Sequence, residues 1–247
     1  MNLDPTLFSN EEKESYIRQL FGDMELGFEK ALDSAVEEMR RWEMILNARN
    51  SDENPYRIGP RRIHELAKKN PPRKSGRRVT DFTDWVFGLY NRHNYKSLAL
   101  GEAAEREIAR RKIPIPDHHD RWRLVHNGIG ENARVNARPI SSLLIDGEPV
   151  FGSPDLVFRE KRTGRVLIIE VKATRVQELP SDGWPNLRAQ LWAYSQIDDW
   201  RDSEEILMVG EIWGVSNLKL RKTIGWVKGE EPFESRNRKL FDCYSAA

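Results

Sequence analysis

Cysteine and long apolar runs are nearly absent from this chain of 247 residues, which contains the single thiol of Cys243. One thiol forms no internal disulfide, and it is too few for a cysteine-rich zinc site or an iron–sulfur cluster. No apolar run approaches the roughly 20 residues that cross a bilayer. The polar, acidic start MNLDPTLFSNEEKE lacks the basic and apolar regions of a signal peptide. We therefore expect a cytoplasmic protein with no membrane partner.

Charge is nearly balanced overall, at +1, but it is unevenly placed. The segment Arg57–Arg78 is rich in lysine and arginine, and Glu65 is its one acid. Such a segment is either a solvated loop or the electrostatic footprint of an anionic partner, and the scarcity of acids favours the second interpretation. The residues expected to contact the phosphates of such a partner are Arg73, Lys74, Arg77, Arg78 and Arg106.

The order of predicted elements indicates an α/β (α+β) protein with a mixed sheet. Residues 1–96 form a helical amino-terminal region with the basic loop, and residues 97–247 form the core and a carboxyl-terminal tail. An apolar stripe between Phe28 and Leu46 predicts a helix that packs on its own domain or pairs with a protein partner, including a second copy. Further predicted helices are Arg61–Lys69, Asp81–Tyr90, Ser97–Arg111 and Trp184–Asp199. Predicted strands are Arg121–His126, Ala137–Ile145, Glu148–Phe158, Arg165–Lys172, Glu205–Trp213 and Lys219–Val227.

Charged side chains interrupt the most apolar of these strands. Glu170 and Lys172 lie on one face of the strand, about 7 Å apart, because strand side chains alternate. If the intervening turn is centred between Arg162 and Thr163, antiparallel pairing places Asp155 opposite Glu170 on that face. The hairpin register therefore predicts two carboxylates and a lysine at one end of the sheet.

Two opposed carboxylates repel each other, so a cation is expected between them. Oxygen donors from Asp155, Glu170 and the Val171 carbonyl suit Mg²⁺, or Mn²⁺ in its place. A metal in that position polarises a phosphoryl oxygen and activates water, while Lys172 orients or deprotonates the water. The simpler alternative is a cross-strand salt bridge between Lys172 and one acid.

The residues Pro154-Asp155 and Glu170-Val171-Lys172 resemble the signature of the PD-(D/E)xK nuclease superfamily. Gln190 and Tyr194, one helical turn apart, are similar to the Q-x-x-x-Y pattern of its RecB-type exonuclease branch. The resemblance implies a restriction-endonuclease-like core with a central mixed sheet flanked by helices. It covers the chain from about residue 97 to 227. A single cysteine excludes the iron–sulfur cluster that some RecB-type relatives hold.

The resemblance also implies site residues and a function. Asp155, Glu170 and an upstream acid, either Glu105 or Glu102, would bind Mg²⁺ or Mn²⁺. Lys172 would be the catalytic lysine, with Gln190 and Tyr194 bracing the site or touching the nucleic acid. The expected partner is DNA, with RNA left open, and the expected function is metal-dependent hydrolysis of its phosphodiester bonds in repair, recombination or phage-related processing, by an exonuclease or an endonuclease. The alternative is a nucleic-acid-binding or scaffold subunit on the same fold with little or no catalysis.

Overall fold

The structure, a computed structural model, describes residues 60–90, 103–108, 122–129, 135–175, 179, 184–215 and 218–246. The predicted amino-terminal helix with its apolar stripe lies outside these residues, as do the proposed boundary at residue 96 and Glu102, the alternative upstream acid. The basic segment is described from residue 60 onward.

Four helices and seven strands have defined bounds within this part of the chain. The helices are α1 (Pro60–Lys69), α2 (Val79–Tyr90), α3 (Pro185–Ser195) and α4 (Phe233–Ser245). The strands are β1 (Trp122–Asn127), β2 (Arg138–Ile145), β3 (Glu148–Gly152), β4 (Leu156–Glu160), β5 (Val166–Thr174), β6 (Ile206–Gly214) and β7 (Leu220–Val227). A short helical segment spans 103–108.

The central sheet has five strands in the order β1-β4-β5-β6-β7. Its β5–β6 pair is parallel and the other three pairs are antiparallel, so the predicted mixed sheet is confirmed. Parallel neighbours need a crossover connection, and α3 provides it between β5 and β6. The hairpin β2–β3 forms a separate two-stranded sheet.

Both faces of the central sheet are buried, which explains the apolar run Val166–Ile169 in β5. Val166 and Ile168 belong to the larger hydrophobic cluster, together with residues of all four helices. Leu167 and Ile169 belong to the smaller cluster on the opposite face, which includes Ile108 of the segment 103–108. Helices α1 and α2 thus pack into the same core as α3 and α4.

Two features of the sequence prediction need correction. The single predicted strand Glu148–Phe158 is two strands, β3 and β4, because the chain leaves the pleat at Ser153–Asp155 and the two halves join different sheets. The predicted carboxyl-terminal tail contains the helix α4, whose first seven residues offer only Phe233 as an apolar anchor. Its remaining anchors come late, so the helical period is hard to detect.

The turn between β2 and β3 follows the sequence prediction. Asp146 and Gly147 both have positive φ, at 54° and 79°, as a two-residue hairpin turn requires. Among the described residues, no helix has the length and hydrophobicity needed to cross a membrane.

Close packing of α3 on β6 generates a stability prediction. A Cβ at Gly210 would lie 2.9 Å from Leu187 Cδ2, and Leu187 is fully buried. We expect Gly210→Val to lower the free energy of unfolding by about 1–3 kcal/mol, because the added methyl groups overpack this contact. Urea unfolding measures the change.

The control is Gly88→Ala, at an exposed position within α2 where an added Cβ would meet nothing within 4 Å. It should raise the free energy of unfolding by about 0.5–1 kcal/mol, since alanine restricts the unfolded chain and favours helix. Equal effects of the two substitutions would contradict the assigned packing of α3 against β6.

Candidate active site

The site lies where β5 continues beyond Leu156, the first residue of β4. The β4–β5 pairing stops at Leu156 and Ile169, whereas β5 stays paired with β6 as far as Thr174. Beyond Leu156, β4 no longer pairs with this edge of β5, and two carboxylates accept its backbone N–H groups instead. The Val171 N–H donates to Asp155 Oδ2 at 2.8 Å, and the Ala173 N–H donates to Glu105 Oε1 at 2.8 Å.

The hairpin register agrees with the sequence prediction. Leu156 pairs with Ile169, so the next residues outward, Asp155 and Glu170, stand opposite each other. The Asp155 N–H is 3.4 Å from Glu170 Oε2. This arrangement needs the turn to be centred between Arg162 and Thr163, which the register satisfies.

Glu170 lies at the centre of the buried polar contacts. Its side chain is 3% exposed, and Oε1 accepts from Lys172 Nζ at 2.7 Å. The same oxygen accepts from Gln190 Nε2 at 2.7 Å, and Gln190 Nε2 also lies 3.0 Å from the Tyr194 hydroxyl. The structure therefore brings Gln190 and Tyr194 of α3 to the two charged residues of β5.

Burial and like charge disfavour ionisation of the acids. Burial raises the pKa of Asp155 well above its usual range, and the Glu170 charge adds to the effect. Burial also raises the pKa of Glu170, although Lys172 opposes the rise. Two carboxylates with one neighbouring ammonium leave an excess of negative charge, which a cation would relieve.

Lys172 is held in its charged form. Burial alone would lower its pKa, but Glu170, Glu105 and Asp155 outweigh burial and raise the pKa well above its ordinary value. As arranged here, Lys172 is an ammonium that offers positive charge and hydrogen bonds. The salt bridge with Glu170 exists, as the simpler alternative expected, but Asp155 and Glu105 lie within the same electrostatic cluster.

The donor set suits a hard divalent cation. Asp155 and Glu105 each have a second carboxylate oxygen besides the one bound to the β5 backbone. Within one strand residue, N–H and C=O point to the same side, so the Val171 carbonyl faces this edge as well. The described residues contain no group of three or more His, Cys, Asp or Glu side chains that could hold a metal ion. Mg²⁺ does not require one, because it commonly keeps several waters and takes one or two carboxylates.

The predicted nucleic-acid contacts lie on exposed positions. Arg73, Lys74, Arg77 and Arg78 are exposed in the loop between α1 and α2, and Arg106 is exposed beside Glu105. The loop is attached to β3, since the Phe151 N–H donates to the Arg77 carbonyl at 2.8 Å. From there the chain runs through three residues to Asp155. Arg77 also forms an ion pair with Glu148 at 3.4 Å.

The turn that follows β1 contacts the site, although its residues were not among the predicted site residues. The Gly128 N–H donates to the Asp155 carbonyl at 2.9 Å. Asn127-Gly128 is a typical turn dipeptide, so the sequence did indicate a sharp change of direction there. Nothing in the local sequence indicated that the turn meets Asp155.

No protein-family model matches the sequence, and no curated protein matches it significantly. A solved structure titled "Crystal structure of SSO0001" resembles the fold, with a TM-score of 0.38 and 15% sequence identity. The alignment covers 74% of this chain and 82% of that one. Similarity at this level says nothing about function, which must be judged from the site itself.

Because the pKa of Asp155 is raised, we predict that removing its charge stabilises the fold and that the gain in stability depends on pH. A carboxyl group whose pKa is higher in the folded than in the unfolded chain stabilises the fold at pH below about 4. This contribution is lost as the pH rises through the folded pKa. An asparagine at this position would still accept from the Val171 N–H but would carry no charge. We expect Asp155→Asn in EDTA to raise the free energy of unfolding at pH 8 by on the order of 1 kcal/mol, with little gain at pH 4.

Urea unfolding at the two pH values measures this difference. Asp146→Asn is the matched control, since Asp146 lies in an exposed turn whose positive φ asparagine tolerates. A gain at pH 8 no larger than that of the control would show that Asp155 is not electrostatically strained.

Proposed function

We propose that this chain is a Mg²⁺- or Mn²⁺-dependent nuclease that hydrolyses phosphodiester bonds of DNA. The proposal assigns its sheet and helices to the restriction-endonuclease-like core of the PD-(D/E)xK superfamily. One observation carries it: the Asp155 carboxylate and the Glu170–Lys172 pair meet at the edge where β5 extends past β4. A salt bridge alone would account for Glu170 and Lys172 but not for Asp155.

The metal ligands would come from Asp155, Glu170 and Glu105, with one or two of these carboxylates and the Val171 carbonyl binding the ion and water completing its coordination. When bound, the ion would polarise a phosphoryl oxygen and lower the pKa of a bound water. The Val171 and Ala173 amides fix one oxygen of Asp155 and one of Glu105, which restricts their rotation. Pre-orientation of ligands in this way lowers the entropy lost on binding.

Lys172 and α3 have separate roles in the proposal. The ammonium of Lys172 would attract the scissile phosphate and stabilise negative charge that develops there. Gln190 shares Glu170 Oε1 with Lys172, and Tyr194 holds the Gln190 amide. These two α3 residues therefore orient Glu170, and their burial keeps them from a substrate backbone.

Cleavage of nucleic acid tests the catalytic assignment. Linear, nicked, branched and single-stranded DNA, and RNA, would be incubated with the full chain in Mg²⁺ or Mn²⁺. We expect metal-dependent cleavage that EDTA abolishes, and a loss of roughly 10²-fold or more in Lys172→Ala and Asp155→Ala, because Lys172→Ala removes positive charge at the reacting phosphate and Asp155→Ala removes a proposed ligand of the metal.

Lys161→Ala is the matched control, at an exposed lysine in the turn at the far end of the β4–β5 hairpin. It should cleave like the unmodified chain. Binding without metal-dependent cleavage on every substrate would favour the non-catalytic subunit instead. Cleavage that survives Asp155→Ala would refute the site while leaving the activity.

Salt dependence tests the predicted DNA contacts. The logarithm of the binding constant falls linearly with the logarithm of salt concentration, with a slope of about 0.9 per neutralised phosphate on duplex DNA. Replacing Arg73, Lys74, Arg77 and Arg78 by alanine should make this slope shallower by about 0.9 for each phosphate that is no longer neutralised. Fluorescence anisotropy in EDTA from 50 to 200 mM salt, roughly the range over which such slopes are resolved, measures it.

The control removes Lys161 and Arg162, exposed in the β4–β5 turn, and should leave the slope unchanged. If the loop variant and the control variant change the slope by equal amounts per charge removed, the loop before α2 is not the specific contact surface. An unchanged slope in the loop variant would refute that surface altogether.

A further inference from the structure

The turn His126–Ile129 lies across the break between β3 and β4. Asn127 pairs with Leu156, the first residue of β4. The next N–H, that of Gly128, donates to the Asp155 carbonyl at 2.9 Å. The turn therefore binds the backbone of the residue whose carboxylate reaches Val171.

An irregularity in β1 brings the turn into this position. Leu124 pairs with Phe158 and His126 pairs with Val157, so Val125 is an extra residue on the β1 side. Such bulges bend a strand and re-aim the residues that follow. Past the bulge, His126 Nε2 lies 3.2 Å from Ser153 Oγ, which adds a second contact with the break.

Gly128 approaches the break more closely than any side chain would allow. A Cβ at this position would lie 2.2 Å from the Pro154 carbonyl oxygen and 2.4 Å from Ser153 Oγ. The first of these is a backbone atom of a buried residue, so it cannot rotate away. A larger residue at 128 would force either this turn or the Ser153–Asp155 backbone to move.

Asn127 fixes the shape of the turn before it meets Asp155. Its Oδ1 accepts from the Ile129 N–H at 3.0 Å, an Asx turn that spans Gly128. Its carbonyl accepts from Asn136 Nδ2 at 2.7 Å. The Gly128 N–H is thereby presented to Asp155 by bonds on both sides.

We propose that Asn127 and Gly128 are positioning residues for Asp155. They hold the Asp155 backbone so that its carboxylate stays on the Val171 amide, with the second oxygen available to a cation. This inference rests on the proposed function for its purpose, but the hold on Asp155 can be measured without metal or substrate. A turn that merely stabilised β1 would affect the whole sheet and not this contact in particular.

Amide hydrogen exchange of the full chain in EDTA, measured by NMR, tests whether the turn holds the Asp155 backbone in place. In Asn127→Ala and Gly128→Ala, the Val171 amide should exchange about tenfold faster relative to the amides of the β5–β6 pairing, because the hydrogen bond that protects it is weakened. Asn127→Ser keeps a hydroxyl acceptor for the Ile129 N–H and should largely restore protection. Gly88→Ala, distant in sequence and open in space, should change nothing at Val171.

Mn²⁺ affinity, from calorimetry, is the second readout. We expect it to fall by about tenfold or more in Asn127→Ala and Gly128→Ala, to recover in Asn127→Ser, and to stay constant in Gly88→Ala. Should Gly128→Ala fail to fold, the two Asn127 variants decide the matter.

The two readouts separate the two proposals. An unchanged relative exchange rate at Val171 in Asn127→Ala overturns the positioning role. If the Val171 amide exchanges faster in Asn127→Ala but the unmodified chain binds no Mn²⁺, the positioning role is supported and the proposed metal site is refuted. Faster exchange with undiminished Mn²⁺ affinity also overturns the inference, since positioning would then have no effect on the ligand.

Discussion

The hydrogen bond from the Val171 amide to the Asp155 carboxylate is the contact around which the candidate site is built. A buried backbone N–H must find an acceptor, and the β4–β5 pairing stops at Leu156 and supplies none. Asp155 takes that place, and Glu105 does the same for Ala173. Completing the edge of β5 thus fixes two carboxylates without a dedicated scaffold.

The same arrangement carries an electrostatic cost. Asp155 is half-buried beside the buried Glu170, and Lys172 compensates only part of their charge. Natural proteins accept such local destabilisation chiefly where a function requires it. The surrounding core can bear it, because β5 is buried on both faces and paired with β6 along its whole length.

Rigid elements meet at this point from several directions. Helix α3 packs on Gly210 and presents Gln190 to Glu170, while the turn after β1 holds the Asp155 backbone. The basic loop before α2 is attached to the end of β3, close in sequence to Asp155. Glu170 and Lys172 lie on a strand and Gln190 lies on a helix, which positions these side chains more accurately than loops would.

Much of this local arrangement could be predicted from the amino-acid sequence. Alternation along β5 places Glu170 and Lys172 on one face, the hairpin length sets Asp155 opposite Glu170, and one helical turn aligns Gln190 with Tyr194. These features depend on short-range geometry, in which the periods of strand and helix are fixed. The Asp146-Gly147 turn was equally predictable, because few dipeptides tolerate two positive φ values.

Features that depend on contacts between distant segments became evident only in the folded chain. That β4 begins one residue after Asp155, that Gly128 lies against Pro154, and that α4 packs into the core beside the sheet have no local period to indicate them. Each depends on how the whole chain packs, because apolar burial and the pairing of hydrogen-bond donors with acceptors must be satisfied together. Local pattern therefore supplied the charged residues, whereas long-range packing supplied the edge and the turn that hold them in place.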